Sequence, residues 1–468
     1  MNSGAFVRRS VAVAAALATA GCSSGTSALV SHLTPAAPIR KAIERLSAPS
    51  GSGKIQHIVI VVQENRSFDN LFQGYPGANT QPYGYDSSGN QIALKPVGLE
   101  SGFDLAHFFP TAVNDIDYAK SEAMDGFAAT KCTKPSCPPD FAYSYVPRSE
   151  TKPYWQMARQ FVLADNFFAS DLDASFVGHQ FLIAGQAEQT WGLPVGGAAW
   201  GCDGGPSEVV DLLDPSFVPA HTTKNPLQTC FDPPVTAATD TTLADEIDAT
   251  GTLTWRYYAP TYGQLGYIWS AYDAINHIRN GPDWANDVKS PETTFITDVQ
   301  GGTLANVTWV IPSFFNSDHS GIGTKTGPDW VANVVNAVGT SPFWNSTAIF
   351  VLWDDWGGWY DHVAPPLLDY DGLGIRVPLL VISPYAIKGP KGHSTVTHTQ
   401  YEFGSVLKFA ETTFGLSSLA ASDARATNFG SDIFNFSQPA RAFRAVKVNV
   451  GPKYFLGQPR SLLPPDEE

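Results

Sequence analysis

The chain has 468 residues, 43% of them apolar, and 12 Trp, enough for one large domain with insertions or for two domains. Its 29 basic residues against 44 acidic ones leave a formal charge of −15. That balance argues against a nucleic-acid partner, which needs basic surface to neutralise phosphates. Any phosphate handled by so acidic a chain must meet local positive charge, most simply a metal ion.

Residues 1–21 read as an export signal. Arg8 and Arg9 precede the short apolar run Val11 to Ala20, and Ala18-Thr19-Ala20 forms a small-residue cleavage pattern. Such a run is too short to span a bilayer. Cys22 after Gly21 suits lipid attachment at a bacterial lipoprotein processing site, although Thr19 stands where Leu is usual. The expected locations are periplasmic, secreted or lipid-anchored to the envelope through Cys22. Residues 22–52, rich in Ser, Ala and Pro, read as a tether, and 53–468 as the main domain.

The first strand, Ile58–Val62, delivers Glu64 and Asn65 at its end, and His107 follows in FDLAHFF. A second strand is expected at Phe161–Ala164. Beyond it, Asp171 and Asp173 lead to Ser175 and the helix-like FLIAGQ. A serine at or just before a helix N-terminus lies beside exposed N–H groups that also welcome phosphate oxygens. The plainer alternative is an N-cap. His179, one turn further on, favours a site.

Four cysteines remain after Cys22: Cys132, Cys137, Cys202 and Cys230, an even set suited to an oxidising compartment. The economical pairing is Cys132 with Cys137 and Cys202 with Cys230, and two other connectivities are open. The spacing matches no usual zinc site. The stretch from about 192 to 240, rich in Gly, Pro and Thr, reads as a disulfide-stapled insertion, a lid or substrate-shaping surface.

Further strands are expected at Leu253–Tyr258, Val307–Ile311, Ala348–Trp353 and Val377–Ser383, with helices over 327–338 and 401–413. His319 follows the fourth of the six strands. The fifth ends in Asp354 and Asp355, then Gly357 and Gly358, with His362 close behind. Adjacent carboxylates at a strand end repel unless a cation or proton separates them. A turn or cap accounts for one Asp but poorly for two. Alternating strands and helices predict an α/β fold with a mostly parallel central sheet, and ligands in such sheets bind beyond the carboxyl ends of strands.

Glu64-Asn65 and Asp354-Asp355 thus suggest one divalent metal ion held between two strand ends, an oxygen-rich set that singles out no particular metal. Each histidine alone suits a structural hydrogen bond; several together just beyond strand ends suit a phosphoryl-transfer centre. Phe108, Phe109, Phe314, Phe315, Trp353, Trp356 and Trp359 suit either a lipid cleft or plain packing.

Three segments, HIVIVVQENRSFDNLF, DDWGGWYDHVAPP and VPLLVISPYAIKGPKGHSTVTHTQYEFGSVLKFAETTFGL, resemble, in order, blocks of the bacterial phospholipase C and acid phosphatase phosphoesterase family. The resemblance extends from about residue 55 to 416. It implies an alkaline-phosphatase-like three-layer sandwich: a mostly parallel sheet, helices on both faces, and loop-rich insertions. It also implies a metal-bound nucleophile, Ser175, with Glu64 and Asn65 as one metal-ligand pair and Asp354 and Asp355 as the other, where the family often has Asp-Glu. His107, His319 and His362 match its active-site histidines. Two departures stand out. Val177-Gly178-His179 replaces a common Pro-Asn-Arg, leaving His179 for substrate phosphate, and Trp356 replaces a common His.

The expected protein is an exported, metal-dependent hydrolase of phosphoric esters working through a phosphoserine. Its substrate is a phosphate ester, either a monoester or a phospholipid. The alternative is a non-catalytic envelope binding protein that keeps the fold. A sulfatase-type relative lacks its C-x-P-x-R or S-x-P-x-R motif near Ser175.

Overall fold

Long apolar runs build the centre of the molecule. A computed structural model describes residues 53–459 and 461, apart from 134–135, 198, 232–241, 322 and 390–394. The signal, the tether, Cys22, His32, His393, the chain end and the last part of the insertion lie outside the described residues. Eight strands form the main sheet: β1 (His57–Gln63), β2 (Val162–Ala164), β3 (Trp255–Tyr258), β4 (Val288–Lys289), β5 (Val307–Val310), β6 (Thr347–Trp353), β7 (Leu379–Ile382) and β8 (Thr395–Thr397). Their order is β4-β3-β5-β1-β6-β7-β2-β8. All neighbours run parallel except β7, which is antiparallel to both β6 and β2.

The middle strands β1 and β6 are almost wholly buried, as continuous apolar runs covered on both faces must be. Side chains alternate between the faces of a strand. On β6, Phe350 meets the ring of Phe409 at 5.4 Å and Trp353 meets Tyr154 at 5.0 Å. Phe409 belongs to a helix at Phe403–Phe414 and Tyr154 to one at Lys152–Gln160. The two helices therefore cover opposite faces, which makes three layers. In chain order we label the helices α1 (Phe68–Phe72), α2 (Lys152–Gln160), α3 (Ser175–Ala184), α4 (Gly327–Gly339) and α5 (Phe403–Phe414). Trp309 on β5 shares register with Ile60 and so with Phe350, and its Nε1 donates to Leu182 O at 3.1 Å. That places α3 on the α5 face, opposite α2.

Cys132 is bonded to Cys137 and Cys202 to Cys230. The second bond staples a four-stranded antiparallel sheet made of Thr190–Val195, Val209–Asp214, His221–Thr222 and Leu227–Gln228.

Candidate active site

β1 and β6 pair in parallel from His57↔Thr347 to Gln63↔Trp353. The residues that follow therefore leave the sheet side by side. Asp354 N donates to Gln63 O at 3.0 Å, extending the ladder one step. Asn65 then turns sharply at φ 59°, a left-handed conformation that Asn tolerates better than most residues. In that turn Asn65 N donates to Asp354 Oδ1 at 2.9 Å, and Arg66 N donates to Asp355 O at 2.9 Å. Gly357 completes the crossing, because a Cβ there would lie 2.3 Å from Asn65 O.

Two distant acidic pairs thus meet at one point. Oxygens of Glu64 and Asp354 and a ring nitrogen of His179 all lie within 4.8 Å of one another. His179 Nε2 is 3.1 Å from Glu64 Oε1 and 3.6 Å from Asp354 Oδ2. Ligand atoms that close can share one ion at normal metal–oxygen distances. The Asn65 amide nitrogen reaches His107 Nε2 at 2.8 Å and Asp355 Oδ2 at 3.5 Å. Both are acceptors there, so Asn65 Oδ1 points away from them. Asn65 Oδ1 and Asp354 Oδ2 are buried and accept no hydrogen bond from the described residues. Buried oxygens in that condition are costly unless a cation or a proton meets them. The donor set fits a divalent ion.

Ser175 is the first residue of α3; Ala174 occupies the N-cap position and makes no side-chain cap bond. Instead of capping, Ser175 Oγ lies 3.4 Å from Asp355 Oδ2, whose partner oxygen accepts Gly357 N at 2.6 Å. Asp173 holds the loop in front of it. Its Oδ1 accepts the N–H groups of Ala174 at 2.8 Å and Phe109 at 2.9 Å, and its Oδ2 that of Gly192 at 2.6 Å. One buried carboxylate therefore ties the Ser175 loop to the His107 segment and to the insertion. Burial pushes the Asp173 carboxyl up to about 6 against the pull of those three N–H groups.

His107 Nδ1 donates to Leu105 O at 2.6 Å, so its Nε2 is the acceptor for Asn65. His319 likewise donates Nδ1 to Ser320 O at 2.6 Å, and its ring lies 6.2 Å from that of His107. The His319 loop is anchored to β1, where Gln63 Oε1 accepts Asp318 N at 2.8 Å. Arg66, the obvious partner for Glu64 in the sequence, donates to Asp318 O and Asn70 Oδ1. Phe109, Phe314, Trp353, Trp356 and Trp359 are buried packing, at 1% exposure or less, whereas Phe108 and Phe315 are half-buried.

His362 lies in a separate cluster. Its Nδ1 is 2.5 Å from Asp69 Oδ2 and its Nε2 is 3.0 Å from Asn79 Oδ1. Burial lowers its basicity, but the hydrogen bond to Asp69 and the charges of Asp361 and Asp69 outweigh that and raise it. Asp69, Asp361 and His362 form a second group with metal-like spacing. Arg376 fills it, donating Nε to Asp361 at 3.0 Å and Nη2 to Asp69 at 3.3 Å. Arg376 thus supplies a buried cation to this cluster. Asp69, Asp361, Arg376 and the clamp at Asp173 escaped the sequence reading, and the only signal for them was an unexplained acid or base beside a recognised motif.

A model of the Phosphoesterase family matches residues 55–417. Phospholipase C B of Mycobacterium tuberculosis is 25% identical over 495 residues, covering 92% of this chain and 86% of that one. Non-hemolytic phospholipase C of Pseudomonas aeruginosa is 25% identical over 444 residues, covering 82% of this chain and 58% of that longer one. Among solved structures, an alkaline phosphatase superfamily protein from Vibrio parahaemolyticus overlaps with a TM-score of 0.37 at 10% identity, covering 82% of this chain and 73% of that one. An overlap that small adds nothing to the strand order described above. The family match spans most of the chain, so this protein belongs to the Phosphoesterase family and is a phosphoric ester hydrolase.

Proposed function

We propose that the protein is a metal-dependent phospholipase C-type hydrolase in which Ser175 is the nucleophile. The convergence of Glu64, Asn65, Asp354 and His179 beside Asp355 and Ser175 carries this reading. A divalent ion held by Glu64, Asn65, Asp354 and Asp355 would supply Lewis-acid stabilisation of a serine alkoxide and of phosphoryl oxygens. His179 joins that group as a further ligand or as the donor to a substrate oxygen.

Ser175 Oγ attacks phosphorus in line, forming a Ser–O–P bond while the bond to the leaving alcohol breaks. Asp355, within reach of the hydroxyl, orients it. The leaving oxygen takes a proton, and we assign His319 as its donor, because its ring lies 6.2 Å from that of His107, which in turn meets the Asn65 amide. His107 accepts from Asn65 and therefore positions that ligand. Both nitrogens of His362 are engaged by Asp69 and Asn79, which supports a structural charge rather than a proton donor. Water then cleaves the Ser–O–P bond and regenerates Ser175.

The names of the two relatives support a phospholipid diester over a simple monoester. We assign the shaping of substrate entry to the insertion, a reading supported by its tie to Asp173 through Gly192. The reading of residues 1–21 and the two disulfides support export, with residues 22–52 as a tether and lipid attachment at Cys22 as one outcome. Acid quenching during turnover of a phosphate ester tests the chemistry. Mass spectrometry should find a phosphoryl adduct on the Ser175 peptide that is missing in Ser175→Ala. Full turnover by that variant rejects the assignment.

A further inference from the structure

A cluster of positive charge lies beside α2, on the sheet face opposite the Ser175 helix. A surface groove of about 800 Å³ runs along the outer side of α2 and carries Arg148, Lys152, Arg159, Arg444 and Lys447. No acidic residue lines it, in a chain of net charge −15. All five side chains belong to exposed residues, and none forms an ion pair with a described acid. Glu150, the acid nearest in sequence, is committed to Leu99 N at 2.9 Å and to Lys325.

The groove is built, not incidental. Pro153, Tyr154, Trp155, Met157 and Ala158 bury one side of α2, which turns Lys152, Gln156 and Arg159 outward together at one-turn spacing. The other wall comes from nearly 300 residues away. Lys447 N donates to Gln156 Oε1 at 3.1 Å, and Val446 N donates to Asn336 Oδ1 of α4 at 2.8 Å. These backbone clamps set Arg444 and Lys447 opposite Lys152 and Arg159. A second hollow of about 470 Å³ shares Gln160 and Arg444 with it and adds Lys388 and Arg441. Clefts lined by one sign of charge focus potential and draw in the opposite sign.

We propose that this groove docks the protein onto the phosphates of an anionic lipid surface. The aromatic rings beside it, Trp155 and Phe161, are buried at 6% and 4% exposure. It therefore lacks the stacking platforms that single-stranded nucleic acid uses, and offers charge alone. Charge alone suits a two-dimensional array of phosphates. None of the proposed site residues lines the groove, and α2 lies on the sheet face opposite the Ser175 helix. The contact would therefore tether the enzyme without occupying its centre.

The test is vesicle co-sedimentation of the full chain carrying Cys22→Ser, so that no lipid anchor contributes, with chelator present so that binding is read without turnover. Vesicles of phosphatidylcholine containing one third phosphatidylglycerol are compared with pure phosphatidylcholine. Juxtamembrane cations contribute enough that each one removed should weaken binding about fivefold. Arg159→Gln/Arg444→Gln/Lys447→Gln should therefore lose on the order of 100-fold on the anionic vesicles. Its melting temperature and its hydrolysis of a water-soluble phosphate ester should stay unchanged. Arg159→Lys/Arg444→Lys should bind like the parent. Equal binding by parent and triple variant, equal binding to both vesicle types, or retention only by soluble polyphosphate overturns the proposal. Because binding is read apart from catalysis, failure here leaves the assignment of Ser175 untouched, and failure at Ser175 leaves this one untouched.

Discussion

Gly178→Ala isolates the coupling between α3 and the second acidic pair. A Cβ at Gly178 would lie 2.9 Å from Asp354 O, about half an ångström inside the 3.4 Å at which ordinary contact begins. The obstacle is backbone at the end of a fully buried strand, so α3 must move instead. Alanine favours the helix by about 1 kcal/mol and overpacking costs about 1–3 kcal/mol. Net stability should therefore change by less than about 2 kcal/mol. Activity should fall much further, because α3 carries both Ser175 and His179. A misplacement of about 1 Å costs about 100-fold in rate, so a shift of half that size should cost roughly tenfold in kcat. Steady-state hydrolysis of a soluble phosphate ester beside a thermal melt reads both quantities. Activity within twofold of the parent at unchanged stability would refute the reasoning.

Other outcomes follow from the buried groups. Asp115 has its carboxyl pushed up to about 8 by burial, against the hydrogen bonds from Thr130 and Trp356. The folded state therefore holds its proton more tightly than the unfolded chain, and stability should fall as pH rises from near 4 toward 8; melts of Asp115→Asn should lack that component. His362 is raised above its usual 6.5, so its contribution is present at lower pH and is lost as pH rises through the raised value. His362→Gln should flatten the stability profile above pH 6.5 while sparing most of kcat, and a loss of kcat by orders of magnitude would restore His362 as the proton donor. Arg376→Met leaves Asp361 without its arginine and Asp69 with His362 alone, both carboxylates fully buried, and should cost about 3–5 kcal/mol in denaturant unfolding. His319→Gln should lower kcat and remove the alkaline limb of the pH–rate profile, whereas a purely structural role would leave the limb in place.

The sheet was legible wherever a strand is long and buried on both faces. All six strands expected from apolar runs stand in the main sheet, within two residues at most ends. The two that were missed, Val288–Lys289 and Thr395–Thr397, are short edge strands whose side chains, Thr397 apart, are only partly buried, so no apolar run announces them. Helix α2 was also missed: its apolar positions Tyr154, Trp155, Met157 and Ala158 are interrupted by polar ones that become the groove wall. The acids at the ends of β1 and β6 were legible because register converts sequence position directly into spatial neighbourhood. Asp69 with Arg376, and Asp173 with Phe109 and Gly192, were not, because those contacts join loops whose spacing no local periodicity encodes. The histidines show the same limit. Residue type marked His107, His319 and His362 alike, and only their hydrogen-bond partners separate a ring that accepts from Asn65, a ring that donates to Ser320 O and a ring held between Asp69 and Asn79.

The account stands on one cation shared by the ends of β1 and β6. Equilibrium dialysis of chelator-treated protein against a divalent metal, with parent, Asp354→Asn and His362→Gln side by side, measures this most directly. Binding of one ion by the parent and by His362→Gln, with affinity lost at least 100-fold in Asp354→Asn, is the expected result. Binding kept by Asp354→Asn and lost by His362→Gln would place the ion in the wrong cluster and contradict the account.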